Sequence, residues 1–147
     1  MADKSEWQCK HTSLAFACRI IRDRFGEGAV DAVAAQHMKN VRQAFAKRVA
    51  DGAPNDMDAL AEYLLAESDT HDIEVIRRDD RLLELRVTRC WHAEQFRDMN
   101  ACDVGLKFMC AGDDAMIAGF NPKITLERPK IIMKGDDHCH FIYRLSD

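Results

Sequence analysis

Cys139 stands between His138 and His140, just after the turn Gly135-Asp136-Asp137. A thiol beside an imidazole is the raw material of nucleophilic catalysis. Side chains alternate along a strand, however, so Cys139, Phe141, Tyr143 and Leu145 share one face and His138, His140, Ile142 and Arg144 the other. Neither neighbouring histidine is then placed to serve Cys139 as a base. A dyad needs an imidazole from elsewhere, with His92, His37 and His11 as candidates. The spacing His138-x-His140, with Asp136 two residues earlier, is also that of a two-histidine metal site on a strand. Without a third and fourth ligand in sequence it reads as a solvated polar face.

Two more thiols sit where chemistry is often built. Cys90 ends a predicted strand, directly after Arg89 and before a predicted helix. An adjacent guanidinium or a helix N-terminus lowers a thiol pKa and favours the thiolate. Cys110 and Asp113 are three residues apart, so they meet on one helix face. Buried cysteine often only fills space, and on spacing alone that is the first reading of Cys90, Cys110 and Cys139 as well as of Cys9, Cys18 and Cys102. His37 reads as a satisfied core histidine. Arg128 can grip a carboxylate with its planar fork, or lie on the surface of an edge strand. Asn121-Pro122 is first of all a turn.

The elements that must position these residues divide by period. Residues 12–25 carry Leu14, Cys18, Ile21 and Phe25 at helical spacing and stop at Gly26. A longer helix over 28–50 is read with Val30, Val33, His37, Val41, Ala44 and Arg48 on one stripe, ended by Gly52 and Pro54. Asn55 or Asp56 caps a third helix with Met57, Leu60, Ala61, Leu64 and Leu65 inward. The period then switches to two. Residues 72–90 read as two strands joined at Asp79-Asp80, with Leu83, Leu85 and Val87 on one face and Leu82, Glu84, Arg86, Thr88 and Cys90 on the other. HAEQFRDM is a short helix and 101–118 another, and ITLERPKIIM is a strand in which Pro129 demands an edge or a bulge. HCHFIYRL closes the sheet. The expected fold is α+β: N-terminal helices (1–68) packed on a small, mainly antiparallel sheet of about four strands (69–147), within a single domain 1–147.

Bulk properties narrow the partners. A net charge of −4 and the lack of a basic run give no phosphate track, so nucleic acid is not expected. MADKSEWQCK has no apolar core of a signal peptide and no stretch is long enough for a membrane span, so a cytoplasmic protein with reduced thiols is expected. Six cysteines without a CxxC leave any cysteine site to be assembled by the fold. The long amphipathic helices leave room for a homodimer.

TRCWHAEQFRDM (88–99), the C-x-x-D pair within CAGDDAM (110–116) and GFNPKITLERPKIIMKGDDHCHFIY (119–143) resemble, in order and spacing, the L-2-amino-thiazoline-4-carboxylic acid hydrolase family. The resemblance implies a small-molecule hydrolase. The family reaction adds water at the C=N carbon of a cyclic amidine and opens the ring to N-carbamoyl-cysteine. It implies catalytic roles for Cys90, Cys110, Asp113 and Cys139, substrate binding by Arg89, Asn121 and Arg128, and a further match at Gly135. Attack by a thiolate and attack by water both remain open. The chain departs from the family pattern at His140, where aspartate is common, and near Pro129, where threonine is usual. The G…C-x-F ending is also similar to 4-vinyl reductase-type small-molecule-binding domains. Their zinc site, a Glu-x-x-Cys with a later cysteine, falls here on Arg128 and Ile131, so no cofactor is expected. A different zinc site from Cys90, Cys110 and Cys139 is the alternative, and a non-catalytic, sensor-like binding domain is the alternative function.

Overall fold

The computed structural model describes residues 3–147; Met1 and Ala2, the start of the stretch read as lacking a signal peptide, lie outside the described residues. The chain begins with two long helices, α1 (Lys4–Phe25) and α2 (Glu27–Ala50). The Asp3 side chain caps α1 by accepting from the Ser5 N–H. Gly26, at φ 84°, breaks the chain between the two helices, a conformation that a side chain disfavours. Asp56 rather than Asn55 caps α3 (Met57–Leu65), accepting from the Ala59 N–H at 2.8 Å.

Four strands follow: β1 (His71–Arg78), β2 (Leu82–Cys90), β3 (Ile124–Lys130) and β4 (Cys139–Leu145). They form one antiparallel sheet in the order β1-β2-β4-β3. Between β2 and β3 run α4 (Trp91–Asp98), α5 (Cys102–Gly105), a π-helical turn (Leu106–Cys110) and α6 (Ala111–Phe120). The fold is thus α+β, with the helices against one sheet face. That face carries the buried Leu83, Leu85, Val87, Cys139 and Tyr143, while Glu84, Arg86, His140 and Arg144 lie on the more exposed one. Pro129 falls in edge strand β3, within a register shift between Glu127 and Lys130, as its missing N–H requires. The strand read over ITLERPKIIM ends at Lys130, and Ile132–Lys134 form a short 3₁₀ turn instead.

Two apolar clusters make the interior. One joins Ala15, Cys18, Val30, Phe96, Val104 and Met133; the other joins Leu60, Leu83, Leu85, Ile117, Phe120 and Tyr143; Ile73 and Phe141 pack against both. The α2 stripe is re-phased relative to the sequence reading. Val30 and Ala34 are buried and Met38, Val41, Phe45 and Val49 half-buried, while Val33, His37, Ala44 and Arg48 are exposed. In an alanine-rich helix, a step of four in place of three shifts the stripe without leaving a gap in the apolar pattern. His37 is therefore not a core histidine; it lies against the Phe108 ring. Gly119 permits the close approach of α6 to α2: a Cβ there would stand 2.2 Å from the Arg42 carbonyl oxygen. Among the described residues no helix is long and apolar enough to cross a membrane.

Candidate functional site

The interior holds a cavity of about 190 Å³ between the sheet and the helices. Cys90, Cys110, Asp113 and Cys139 all line it, each from a different part of the chain or a different turn. His71, His92 and Glu67 line it as well, and Trp7, Leu64, Phe141, Met109 and Met133 supply apolar wall. The four residues read as catalytic are therefore brought together.

Cys90 reaches the cavity through a bulge. Ile73 pairs with Val87 but Asp72 pairs with Arg89, so Thr88 is an extra residue on β2. The extra residue reverses the alternation, and Cys90 turns to the side of Leu85 and Val87. The sequence reading, which kept strict alternation, put Cys90 on the opposite face with Glu84 and Arg86. Its partner across the ladder is His71. The Cys90 Sγ lies 3.4 Å from His71 Nε2 and also accepts from the Ala93 N–H at 3.4 Å, capping α4.

The imidazole is oriented from behind. The Thr70 hydroxyl donates to the Glu67 carbonyl at 3.2 Å, so its oxygen is free to accept from His71 Nδ1–H at 2.9 Å. With the proton assigned to Nδ1 on this basis, Nε2 keeps its lone pair toward Cys90. The Glu67 carboxyl lies 3.6 Å from the same Nδ1. His92 stands beside His71 with ring centroids 5.3 Å apart, and its Nδ1 shares a 2.7 Å hydrogen bond with Nε2 of the buried His11.

Burial sets the protonation of the whole site. It pushes the Cys90 thiol up to about 11, against the opposing pull of the Ala93 N–H. Cys110 rises to about 12 through burial and the nearby Asp113, and burial also raises Cys139, whose Sγ accepts from the Ile132 N–H at 3.2 Å. The expected lowering of the Cys90 pKa by Arg89 does not occur, because that guanidinium is held by Glu94 at 2.7 and 2.8 Å. Burial likewise depresses His11 and His71, and takes His92 down to about 3 with help from His71 and His11. Asp113 moves the other way. Burial lifts it to about 7, despite Arg128, with Glu67 and Asp114 adding to the rise. A carboxyl tuned to the neutral range is suited to general acid–base work.

The three residues read as substrate ligands lie off the cavity wall. Arg89 is paired with Glu94. Asn121 ties the α6–β3 corner to the α2–α3 loop, donating to the Asn55 carbonyl at 2.9 Å and accepting from the Lys123 N–H at 3.0 Å. Arg128 donates to the Cys110 carbonyl at 2.5 Å and to Asp113 at 3.2 Å, and pairs with Asp114. His138 and His140 face away from Cys139, and pair with Asp137 and Glu84. Among the described residues no group of three or more His, Cys, Asp or Glu side chains is arranged to hold a metal ion. Sequence reasoning named His92 and His11 but missed His71, Thr70 and Glu67. Counting back along the hairpin from Asp79-Asp80 places His71 near Cys90, which was the available signal.

The fold has a solved counterpart. The phenol-responsive sensory domain of the transcription activator PoxR, in a crystal structure with phenol, matches with a TM-score of 0.50 at 13% identity, over 92% of this chain and 74% of that one. An H-NOX protein from S. oneidensis in the Fe(II)NO ligation state matches with a TM-score of 0.42 at 14% identity, over 100% of this chain and 78% of that one. No curated protein matches the sequence. The sequence pattern of the L-2-amino-thiazoline-4-carboxylic acid hydrolases matches residues 10–143, well beyond the C-terminal motifs, and the chain belongs to that family.

Proposed function

We propose that the cavity is a hydrolytic site for a small cyclic amidine, with Cys90 as nucleophile, His71 as its base and Asp113 as proton donor and acceptor toward the amidine nitrogens. The observation that carries this reading is the thiol–imidazole pair at 3.4 Å in a cavity shared with Asp113, Cys110 and Cys139. Thiol and imidazole are both neutral near pH 7, so the pair works by general-base catalysis rather than as a standing ion pair.

An aminothiazoline is opened in two stages. Cys90 sulfur attacks the amidine carbon while its proton passes to His71 Nε2, and the C=N electron pair moves onto nitrogen, which Asp113 protonates. The ring C–S bond breaks as nitrogen lone-pair electrons restore a C=N bond and return their proton to Asp113. His71 returns the first proton to the departing sulfur, leaving an S-linked isothiourea on Cys90. Water then attacks that carbon: His71 takes one proton, and the C=N pair moves onto nitrogen, which Asp113 protonates; as the carbonyl forms, the hydroxyl proton passes back to Asp113 and the Cys90 sulfur leaves, reprotonated from His71. The net change is one water added and one ring opened to a ureido thiol. Thr70 holds the imidazole in its working tautomer. Cys110 and Cys139, both thiols, shape the wall.

The test is release of free thiol from 2-amino-2-thiazoline and from its 4-carboxylate, with product mass read alongside. Turnover of either ring supports the reading. Full activity retained in Cys90→Ser refutes Cys90 as the nucleophile, and full activity retained in the triple variant Cys90→Ser, Cys110→Ser, Cys139→Ser refutes the thiol route and leaves water activated by Asp113 as the chemistry.

A sensor-like role is the second reading, favoured by the fold shared with a phenol-responsive sensory domain and by the largely apolar cavity. Under it, a ring ligand saturates the chain and is recovered unchanged, with no thiol released from any cyclic amidine.

A further inference from the structure

We propose that His92 is a second working imidazole of the cavity: a fixed N–H donor, its proton held on Nε2 by His11 from behind, that steadies negative charge beside the Cys90–His71 pair. Its use in turnover rests on the hydrolytic reading, whereas the locked tautomer stands without it.

Placement comes from α4 and α1 together. His92 follows Cys90 by two residues, in the first turn of α4, and lines the cavity with its ring centroid 5.3 Å from that of His71. Its Nδ1 is turned onto Nε2 of His11, 2.7 Å away. His11 comes from α1, is buried, and is not among the described residues that line the cavity. The edge that His92 brings to the wall therefore carries Nε2.

The proton between the two rings belongs to His11. That ring is enclosed by Trp7, Trp91 and Phe96, with centroids 5.5, 5.9 and 4.7 Å away. A proton on His11 Nδ1 would be a donor set among aromatic rings, which costs more than a bare ring nitrogen there. His11 thus carries its proton on Nε2 and donates it to His92 Nδ1. A neutral imidazole that accepts at Nδ1 has its one proton on Nε2. Burial, with His71 and His11 nearby, takes His92 down to about 3 and keeps it neutral, and the N-terminus of α4 acts in the same direction. His92 therefore presents a donor to the cavity and has no lone pair there to act as a base.

In the amidine reaction, negative charge gathers on the ring sulfur as the C–S bond breaks, before His71 returns its proton. A preset N–H beside His71 stabilises that charge without giving up its own proton, as an oxyanion-hole donor does for oxygen. His11 acts only through His92, as a positioning residue.

Long-range proton–nitrogen NMR spectra of the whole chain with isotope-labelled histidine, at about pH 6 to 8, test the tautomer. Loss of the His92 signals in His92→Phe assigns them. The wild type should show His92 in the Nε2–H form throughout. His11→Gln, whose amide still donates to Nδ1, should keep that form, and His11→Phe should release it to a mixture of both tautomers. In thiol release from 2-amino-2-thiazoline-4-carboxylate, kcat should fall about tenfold or more in His92→Phe, with KM changed less than about twofold. It should fall about three- to tenfold in His11→Phe, and His11→Gln should keep the rate. An Nδ1–H or doubly protonated His92, or a tautomer indifferent to His11→Phe, overturns the inference; the wild-type spectrum decides the first two without any variant having to fold. The expected tautomer with kcat unchanged in His92→Phe overturns the charge-stabilising role. The expected tautomer with no ring opening by the wild type sinks the hydrolytic reading and leaves the locked donor standing.

Discussion

Alkylation of Cys90 by iodoacetamide separates a neutral thiol–imidazole pair from an ion pair. The thiol is lifted from 9.0 to about 11 by burial, the Ala93 N–H opposing only in part. Two pH units correspond to about a hundredfold less thiolate at neutral pH than a cysteine at the ordinary value holds. His71 is depressed by burial, so it supplies no standing positive charge to reverse this. Site-resolved mass spectrometry across pH 6 to 10 is the assay, with exposed Cys9 as the internal reference for reagent access. The Cys90 rate should climb about tenfold per pH unit with no plateau in the neutral range. A fast plateau between about pH 6 and 8 that His71→Gln abolishes would refute the reasoning, because it is the behaviour of a thiolate beside an imidazolium.

Asp113 couples the site to stability. Its folded value of about 7 exceeds the unfolded 3.8, so its contribution is fully present at low pH and is lost as pH rises from about 4 to 7. The stability of wild type minus that of Asp113→Asn should fall across that window by about 1–2 kcal/mol, after discounting for a side chain one-third exposed. A flat or rising difference in denaturant melts at several pH values contradicts the assignment; His11, His71 and His92 act with the opposite sign but are common to both proteins. Thr70→Val removes the acceptor at His71 Nδ1 and should lower kcat about three- to tenfold with KM little changed, while Thr70→Ser keeps the rate. Equal loss in the two variants points to packing instead. Gly119→Ala drives a Cβ to within 2.2 Å of the Arg42 carbonyl and should cost about 1–3 kcal/mol in urea unfolding, with an unchanged midpoint counting against the α2–α6 contact.

The sheet was legible in the sequence because its strands have one wet face, and period two in Leu83-Leu85-Val87 and Cys139-Phe141-Tyr143 cannot be satisfied any other way. Motif order brought Cys90, Cys110, Asp113 and Cys139 forward as a set. What could not be read was any feature that depends on a single extra residue. The bulge at Thr88 reverses the side on which Cys90 emerges, and one step on α2 moves His37 from the interior to the surface. The direction of the thiol shifts was also hidden. Adjacency to Arg89 suggested a thiolate, but Glu94 takes that guanidinium and burial decides the matter. His71 and Thr70 escaped notice because their role comes from pairing across the hairpin, not from nearness in sequence to a thiol.

The central claim is that Cys90 and His71 open a cyclic amidine in the cavity. Mass spectrometry of the intact protein, quenched early in a reaction with 2-amino-2-thiazoline, tests it most directly. The account predicts an adduct of one whole ring-opened substrate on Cys90, absent in Cys90→Ser and slow to form in His71→Gln. Ring opening at an undiminished rate by Cys90→Ser would contradict it.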